Sequence, residues 1–304
     1  MTSYVLAADL GGTKIAVARV DSRGAIDHLR RAPTPSQDGK SVETELVRLL
    51  RSLPGSNSAA IGVSVPGLAR PDGTVWAPNI PGWSRWPLAR TLERRFRLPV
   101  VVESDRNCFV TGEAWRGAAK NAGDVVFRII GTGIGAGILS GGRLLRGSRE
   151  LAGAVGWMAV RDEYAPRYKQ VGCLEAHLAG PGMSRRAAES GLGEISAEKI
   201  CALARRGNKK AREIVGEAGF YLGLALANLV STLNPQTITI GGGLSGAGQM
   251  LLTPARATMR RWGQPLAVRQ VRIIRSRLGA RAGLLGAAKL AFDRVGAKNE
   301  SAAG

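Results

Sequence analysis

Hydrophobic residues near the N-terminus form two short runs separated by a turn that contains two glycines. The first run, Tyr4 to Ala8, has no helical period, and β-branched residues resume in the second, Ile15 to Ala18. Apolar runs of this length beside a glycine pair are typical of buried strands. The pattern predicts two strands joined by a tight turn, Asp9-Leu10-Gly11-Gly12-Thr13-Lys14.

An apolar run leads into a glycine-rich loop at two later places in the chain. Residues 125–130 precede Gly131-Thr132-Gly133-Ile134-Gly135-Ala136-Gly137, and residues 237–240 precede Gly241-Gly242-Gly243. The earlier of these loops lacks both the helix that follows a dinucleotide-binding fingerprint and the Gly-Lys-Ser/Thr of a Walker loop. Three glycine loops at predicted strand ends indicate one nucleotide held between two lobes.

The rest of the chain alternates between helical and strand-like segments. Helices are predicted over 42–53, 88–96, 107–118, 196–206, 209–233 and 280–295, and strands over 59–65, 100–102 and 271–274. Segment 66–87 is rich in proline, glycine and tryptophan, which predicts an ordered loop. Its tryptophans, Trp76, Trp83 and Trp86, either anchor a small core or stack on a ligand ring.

Length and composition fit two lobes of ordinary domain size. The chain has 304 residues, of which 44% are hydrophobic, so each lobe can form a core. The cysteines Cys108, Cys173 and Cys201 are few and widely spaced, which favours reduced thiols. We expect a cytoplasmic protein, because no stretch is judged long and apolar enough to cross a bilayer and no basic signal-peptide region opens the chain.

The formal net charge is +20. Such a charge is compatible with nucleic-acid affinity, with attraction of anionic substrates, or with an arginine-rich surface. Basic pairs such as Arg30-Arg31, Arg94-Arg95 and Arg260-Arg261 are scattered, with acidic residues between many of them. This scatter favours the surface interpretation, and weak nonspecific binding of polyanions is still expected.

The polar residues of the first turn suit an anion and a metal ion. Gly11 and Gly12 let backbone N–H groups converge on an anion. Thr13 and Lys14 add a hydroxyl and an ammonium donor, and Asp9 can hold a hydrated metal ion. The turn is therefore a candidate phosphate site, with an ordinary hairpin as the alternative.

Asp105 lies between a predicted strand and a predicted helix. Local dipoles at a helix N-terminus keep a carboxylate ionised, as a proton acceptor requires. Aspartate is also a preferred helix N-cap. The residues alone leave both roles open.

In their order, these segments resemble the ROK family of repressors and sugar kinases, within the actin-like ATPase and sugar-kinase superfamily. The matching segments are Asp9 to Lys14 (first phosphate motif), 65–67, 78–83 and 102–107 (sugar site), Gly131 to Gly137 (second phosphate motif) and Asn234 to Gly243 (adenosine motif). The resemblance implies an α/β fold of the actin-like, ribonuclease H-like type. Its two lobes would contain mixed sheets flanked by helices, with an interlobe cleft.

The resemblance also divides the chain. It implies an N-terminal lobe over 1–118, completed by a C-terminal helix at 280–295, and a C-terminal lobe over 119–279. Residues 296–304 are expected to form a disordered tail.

The activity that the resemblance implies is ATP-dependent phosphorylation of a sugar hydroxyl, with Asp105 as the catalytic base and Asp9 as a magnesium ligand through water. The implied nucleotide-binding residues are Asp9, Gly11, Gly12, Thr13, Lys14, Gly131, Thr132, Gly133, Gly241, Gly242 and Gly243. The implied sugar-binding residues are Gly67, Asn79, Ser104, Asp105, Trp157 and Glu175. Two alternatives stay open: a sugar-sensing regulator without catalysis, and an idle ATP-binding protein.

The chain departs from the family in its sugar site. Typical ROK glucokinases carry Leu-Ala-Gly-Glu-Ile-Gly-His, whose Glu and His bind the sugar, whereas Ala154 and Trp157 occupy those positions here. Ser104 replaces the usual Asn, and Glu175 is retained. Because loss of polar ligands changes specificity, we expect a non-glucose or modified sugar.

The family's structural zinc site uses that lost histidine and three cysteines. Cys173 and His177 are too few donors for tetrahedral zinc, so no zinc is expected. The family's repressors have an additional N-terminal helix-turn-helix domain, whereas here the nucleotide lobe starts at residue 4. We therefore expect a small-molecule sugar or sugar-like partner, no dedicated nucleic-acid domain and no membrane partner; a homodimer stays open.

Overall fold

A computed structural model gives the fold and describes residues 3–54, 58–131, 133–243 and 247–302. The chain forms two compact units. The first comprises Met1–Asn121, Leu144–Ala152 and Arg277–Gly304, and the second comprises Ala122–Arg143 and Gly153–Ser276. Each unit is built around its own five-stranded sheet.

The first unit contains a mixed sheet. Its strands are β1 (Tyr4–Leu10), β2 (Lys14–Asp21), β3 (Ile26–Pro33), β4 (Ser58–Val65) and β7 (Val100–Ser104), and a separate hairpin is formed by β5 (Leu68–Ala69) and β6 (Val75–Trp76). The strand order is β3-β2-β1-β4-β7. Strands β1 to β3 pair antiparallel, whereas β1, β4 and β7 run parallel. The predicted N-terminal strand-turn-strand is confirmed.

Helices cover both faces of this sheet. They are α1 (Gly39–Arg51), α2 (Leu88–Phe96), α3 (Asp105–Arg116) and α11 (Ala282–Ala302). Successive side chains of a strand point to opposite faces. Val5 and Ala7 of β1 accordingly pack in a core with residues of α11, whereas Leu6 and Ala8 pack in a core with residues of α1.

Two glycines bring α11 close to its neighbours. A Cβ atom on Gly286 would lie 1.7 Å from the carbonyl oxygen of Cys108 in α3, and one on Gly283 would lie 2.6 Å from a carboxylate oxygen of Asp9. Only a residue without a side chain permits such an approach. The first turn of α11 therefore lies directly against Asp9.

The second unit repeats the arrangement of an antiparallel hairpin beside parallel strands. Its strands are β8 (Val125–Ile130), β9 (Ile134–Ser140), β10 (Arg143–Leu144), β11 (Thr237–Gly241) and β12 (Arg272–Arg275). Their order is β10-β9-β8-β11-β12, with β8, β11 and β12 parallel. Its helices are α4 (Tyr168–Val171), α5 (Cys173–Leu178), α6 (Gly180–Glu189), α7 (Ala197–Arg205), α8 (Lys209–Leu233), α9 (Gln249–Trp262) and α10 (Pro265–Gln270).

The 25-residue helix α8 is the main core helix of the second unit. Leu222, Ala225 and Leu226 are fully buried. By its length and by the mean hydropathy of 1.4 over an 18-residue window within it, α8 is apolar enough to cross a membrane, so the expectation that no stretch meets this test is wrong. Because 67% of that apolar window is buried within the structure, its hydrophobicity is explained by the core.

Two segments differ from the expected domain layout. Residues 144–152 belong to the first unit, although Leu144 is the last residue of β10 in the second unit's sheet. Helix α11 continues to Ala302, where a disordered tail was expected from Gly296. Alanine, lysine and glutamate, which are frequent after Gly296, are good helix formers.

The tryptophans of segment 66–87 are mainly core anchors. Trp83 is fully buried and stacks on Trp86 with ring centroids 5.6 Å apart. Trp83 Nε1 donates to the carbonyl of Gly39 at 3.1 Å, and Trp86 Nε1 donates to Glu43 at 2.9 Å. Trp76 is 40% exposed.

Candidate active site

Polar side chains meet at the carboxyl edge of the first unit's sheet. Asp9 and Ser64 lie near the ends of β1 and β4, and Asp105 directly follows β7. The strand register places Asp9 opposite Ser64, and Ser64 opposite Glu103. Ser64 Oγ donates to Asp9 Oδ1 at 2.7 Å. Ligands typically bind at this edge of open α/β sheets.

Burial controls the protonation of the two aspartates. Desolvation raises the pKa of Asp9, against the hydrogen bond from Ser64 and the charge of Lys14. Burial also raises the pKa of Asp105 to about 6; the charge of Asp9 adds to the rise, and the N–H of Arg106 opposes it. A carboxylate with a pKa near neutrality suits a proton acceptor.

Asp105 is not the N-cap of α3. Ser104 occupies that position, and Asp105 is the first helical residue. Asp105 Oδ1 accepts from its neighbour's amide, Arg106 N, at 2.7 Å. Ser104 Oγ is buried and has no hydrogen-bond partner within the described ranges, so this predicted sugar-binding position has an unused polar atom beside Asp105.

Backbone hydrogen bonds shape the first glycine turn. Gly11 N donates to the carbonyl of Lys14 at 2.9 Å. Thr34, which directly follows β3, makes two hydrogen bonds to the turn. Its hydroxyl donates to the Gly11 carbonyl at 2.7 Å, and its amide donates to the Thr13 carbonyl at 3.1 Å. A Cβ atom on Gly12 would meet nothing within 4 Å. The turn is thus open at Gly12, as a phosphate site needs.

Sequence reasoning missed an ionic network behind Asp105. Buried Glu103 accepts from Asn107 Nδ2 and from Arg146 Nε, both at 2.9 Å. Arg106 donates to the carbonyl of Glu150 at 2.6 Å. The network fixes the loop after β10 against β7 and α3. Its one sequence signal is Glu103, a charged residue that follows three strand valines.

Glu175 of α5 lies at the second glycine loop. Its Oε2 atom accepts from Ile134 N at 2.6 Å, and a Cβ atom on Gly133 would lie 3.2 Å from the same oxygen. Burial raises the pKa of Glu175, against the Ile134 N–H. A predicted sugar-binding residue therefore contacts a predicted phosphate-binding loop. Thr132, also predicted there, lies outside the described residues.

The second and third glycine loops start side by side. Strands β8 and β11 are parallel neighbours, and Gly241 pairs with Ile129. Both loops therefore begin at the carboxyl edge of the second sheet, where Gly131 and Gly241 to Gly243 were predicted to bind the nucleotide. Gly242 has a φ of 91°, which favours glycine.

The other residues predicted to bind the sugar, Trp157, Gly67 and Asn79, lie in different environments. Trp157 ends a 3₁₀-helix, Val155–Trp157, that follows Ala154, and is 57% exposed. Gly67 has a φ of 116°, and a Cβ atom there would lie 2.1 Å from the Trp76 carbonyl, so the fold itself requires glycine. Asn79 is exposed between β6 and α2. Their sugar-binding roles stay predictions.

Asp9 fits a magnesium ligand that acts through water. Its carboxylate borders a cavity of about 40 Å³, which holds about one water molecule. Magnesium prefers carboxylate oxygens and retains several of its waters. The residues of the first unit thus suit a magnesium-nucleotide complex.

The donors around α5 do not fit zinc. His177 Nε2 shares a hydrogen bond of 2.7 Å with Tyr168 Oη, and its ring stacks on Tyr221 at 4.4 Å between centroids. Burial, with the charge of Arg186 and neighbouring arginines, lowers the pKa of His177 to about 4. Within the described ranges, no group of three or more His, Cys, Asp or Glu side chains could hold a metal ion.

Comparisons with known proteins identify relatives of the chain and similar solved structures. The sequence profile of the ROK family matches residues 5–294. The chain is 33% identical to a glucokinase from Halalkalibacterium halodurans, over 93% of either chain. It is 31% identical to an N-acetyl-D-glucosamine kinase from Salmonella arizonae, over 93% of this chain and 97% of that one. A ROK family glucokinase from Streptomyces griseus, solved in complex with glucose and AMPPNP, is 32% identical, with a TM-score of 0.78 over 95% of this chain and 99% of that one.

The two mixed sheets, the glucokinase and N-acetyl-D-glucosamine kinase relatives and the similar solved kinase show an ATP-dependent carbohydrate kinase with the actin-like ATPase fold. The chain belongs to the ROK family.

Proposed function

We propose that this kinase transfers the γ-phosphate of ATP to a hydroxyl of a modified hexose, with Asp105 as the general base. The observation that carries this proposal is the position of Asp105 directly after β7, at the same sheet edge as Asp9, where burial and the charge of Asp9 raise the pKa of Asp105 to about 6. At pH 7.5 such a group is largely ionised and still basic enough to share a proton in the transition state.

Asp105 accepts the proton of the sugar hydroxyl while that oxygen forms a bond to the γ-phosphorus. The bond from the γ-phosphorus to the bridging oxygen breaks, and ADP leaves with the electron pair. Positioning and charge neutralisation supply most of the catalysis in such reactions. Magnesium, held through water by Asp9, would neutralise charge on the phosphates.

The glycine loops would bind the nucleotide. Gly11 closes the turn through its amide bond to the Lys14 carbonyl. The turn is open at Gly12, where backbone N–H groups can face a phosphate and Thr13 and Lys14 add side-chain donors. The loops that follow β8 and β11 would bind the rest of the nucleotide. The residues assigned there are Gly131, Thr132, Gly133, Gly241, Gly242 and Gly243.

The substrate would differ from plain glucose. Ala154 and Trp157 offer an apolar surface, and the indole of Trp157 is 57% exposed. An indole face packs well on a sugar ring or on the methyl group of an acetamido substituent. Glu175 and Ser104 remain as polar contacts for hydroxyl groups. We therefore favour amino or N-acetylated amino sugars, a class on which one relative acts by name.

The test is ADP release with magnesium-ATP across glucose, mannose, amino sugars, N-acetylated amino sugars and cyclitols. Wild type is compared with Asp105→Ala and with Asp162→Ala, an exposed aspartate in the second unit that serves as the control. We expect one sugar class to stimulate ADP release in wild type and in Asp162→Ala, and no stimulation in Asp105→Ala.

Two results would contradict the proposal. If no sugar raises ADP release while ATP still binds, an idle ATP-binding protein or a sugar-sensing regulator replaces the kinase. If Asp105→Ala keeps wild-type turnover, another group accepts the proton. A preference for glucose would overturn only the assignment of a modified sugar.

A further inference from the structure

A small cavity beside the first glycine turn is lined by more positive charge than the predicted phosphate motif supplies. Its lining includes Asp9, Gly11, Lys14, Arg31 and Arg281. Arg31 belongs to β3, and Arg281 lies in a 3₁₀-helix, Gly279–Arg281, that leads into α11. Three cations from three elements therefore surround one carboxylate.

The register of the sheet explains why these side chains meet. Asp9 pairs with Ala16, and Ala16 pairs with Arg31. Side chains of paired residues share a face, and neighbouring strands lie about 4.8 Å apart. The Asp9 carboxylate and the Arg31 guanidinium thus flank the small side chain of Ala16, which leaves space between them. Lys14, two residues from Ala16, lies on the same face.

Asp9 is the acidic residue that shares the cavity with these three cations, and none of them is bound to it in an ion pair. Among the described residues, no ion pair is formed by Lys14, Arg31 or Arg281. The same hairpin does contain such a pair, since Arg19 contacts Asp27 at 2.7 Å. The cations therefore remain available to an anion. Arginine suits phosphate, because its planar guanidinium can donate two hydrogen bonds to one phosphate group.

Helix α11 packs against Asp9 and so forms one wall of the cavity. Because Gly283 has no side chain, the first turn of α11 lies against Asp9. Arg281, two residues before Gly283, is thereby brought to the lining of the cavity. The glycine turn at Gly11 and Gly12 opens beside it.

We infer that Arg31 and Arg281 bind the terminal phosphates of the phosphoryl donor together with Lys14. The inference rests on the proposed function for the identity of the donor as ATP. It assigns two residues from outside the glycine loops to donor binding.

Calorimetric titrations with ATP, AMP and tripolyphosphate, all with magnesium, test the inference. The variants are Arg31→Gln, Arg281→Gln and the double variant. Arg30→Gln is the matched control, because Arg30 pairs with Val17 and its side chain points to the opposite face of the sheet. We expect each single variant to weaken ATP and tripolyphosphate binding by roughly fivefold or more, with AMP affinity and Arg30→Gln unchanged.

The inference is wrong if the double variant binds ATP as wild type does, if ATP and AMP weaken equally, or if Arg30→Gln weakens ATP as much. The sugar panel separates this failure from failure of the proposed function. A chain that loses ATP affinity in the arginine variants but phosphorylates no sugar keeps the inference and loses the function. A chain that phosphorylates a sugar but binds ATP equally well in the arginine variants keeps the proposed function and loses the inference. A wild type that binds no ATP overturns both.

Discussion

Asp9 and Asp105 show how the active site is kept at some expense in stability. Both carboxylates are held where burial raises their pKa, and the charge of Asp9 adds to the shift at Asp105. A carboxylate whose pKa rises on folding disfavours the folded state once it is ionised. Ser64, through its bond to Asp9 Oδ1, partly offsets this effect.

Asp105→Asn should therefore stabilise the fold while it removes the base. The pKa of Asp105 rises from 3.8 to about 6 on folding, so stability is lost as the pH increases from about 4 to about 6. We expect the variant to gain about 3 kcal/mol at pH 8 and about a third of that at pH 4.5. Thermal unfolding at both pH values measures the difference.

The control for this measurement is Asp162→Asn. Because Asp162 is exposed, its replacement should change the unfolding midpoint little and equally at both pH values. A stability of Asp105→Asn that is equal to wild type at pH 8, or lower, would contradict the assigned environment.

Long elements could be predicted from periodicity and bounding residues. Helices α2 and α8 have the predicted bounds. Asn208 caps α8 by accepting from Ala211 N, and Asn234 ends the helix with a left-handed conformation before Pro235. These local signals act within the segment, so no tertiary information is needed.

Elements that depend on distant contacts could not be predicted. Helix α9 contains Pro254, which usually breaks a helix. It forms against α8, where a Cβ atom on Gly219 would lie 2.5 Å from the Pro254 ring. Helices α4 and α5 have only four and six residues, which is too short for a helical period to be recognised in the sequence.

The candidate site residues likewise separate into those that a local sequence motif indicates and those that only tertiary contacts place. Asp9, Asp105 and the glycine loops lie in continuous segments, so a motif could indicate them. Ser64, Arg31 and Arg281 join the site only through strand register and the packing of α11, which no local pattern encodes.

The segment around α5 should hold its shape without zinc. We expect a zinc chelator to leave the unfolding midpoint unchanged in magnesium buffer, because His177 Nε2 is engaged by the Tyr168 hydroxyl and is not free to bind a metal. Tyr168→Phe should lower stability by about 1–2 kcal/mol, because it removes the hydroxyl from a buried partner.

Tyr164→Phe is the matched control, because Tyr164 is exposed and contacts Tyr168 edge-on. Stoichiometric zinc in the purified protein, or a midpoint that falls with chelator, would show that this account of α5 is wrong.

Over the whole molecule, the arginines that contribute to the net charge of +20 lie in at least two kinds of environment. Some arginines are bound to carboxylates, such as Arg146 on Glu103 and Arg19 on Asp27. Others, such as Arg31 and Arg281, surround the Asp9 cavity without an ion pair among the described residues. The scattered surface charge inferred from sequence thus includes a local cluster suited to a phosphate substrate.

The most direct test of the central claim is the pH dependence of kcat/KM for sugar phosphorylation, from pH 5 to 9, in wild type and Asp105→Asn. Since Asp105 must be ionised to accept a proton, wild-type kcat/KM should fall below an apparent pKa near 6. Asp105→Asn should be about 10²- to 10⁴-fold slower and lack that limb. Wild-type activity in Asp105→Asn, or the same acid limb in both proteins, would contradict the account.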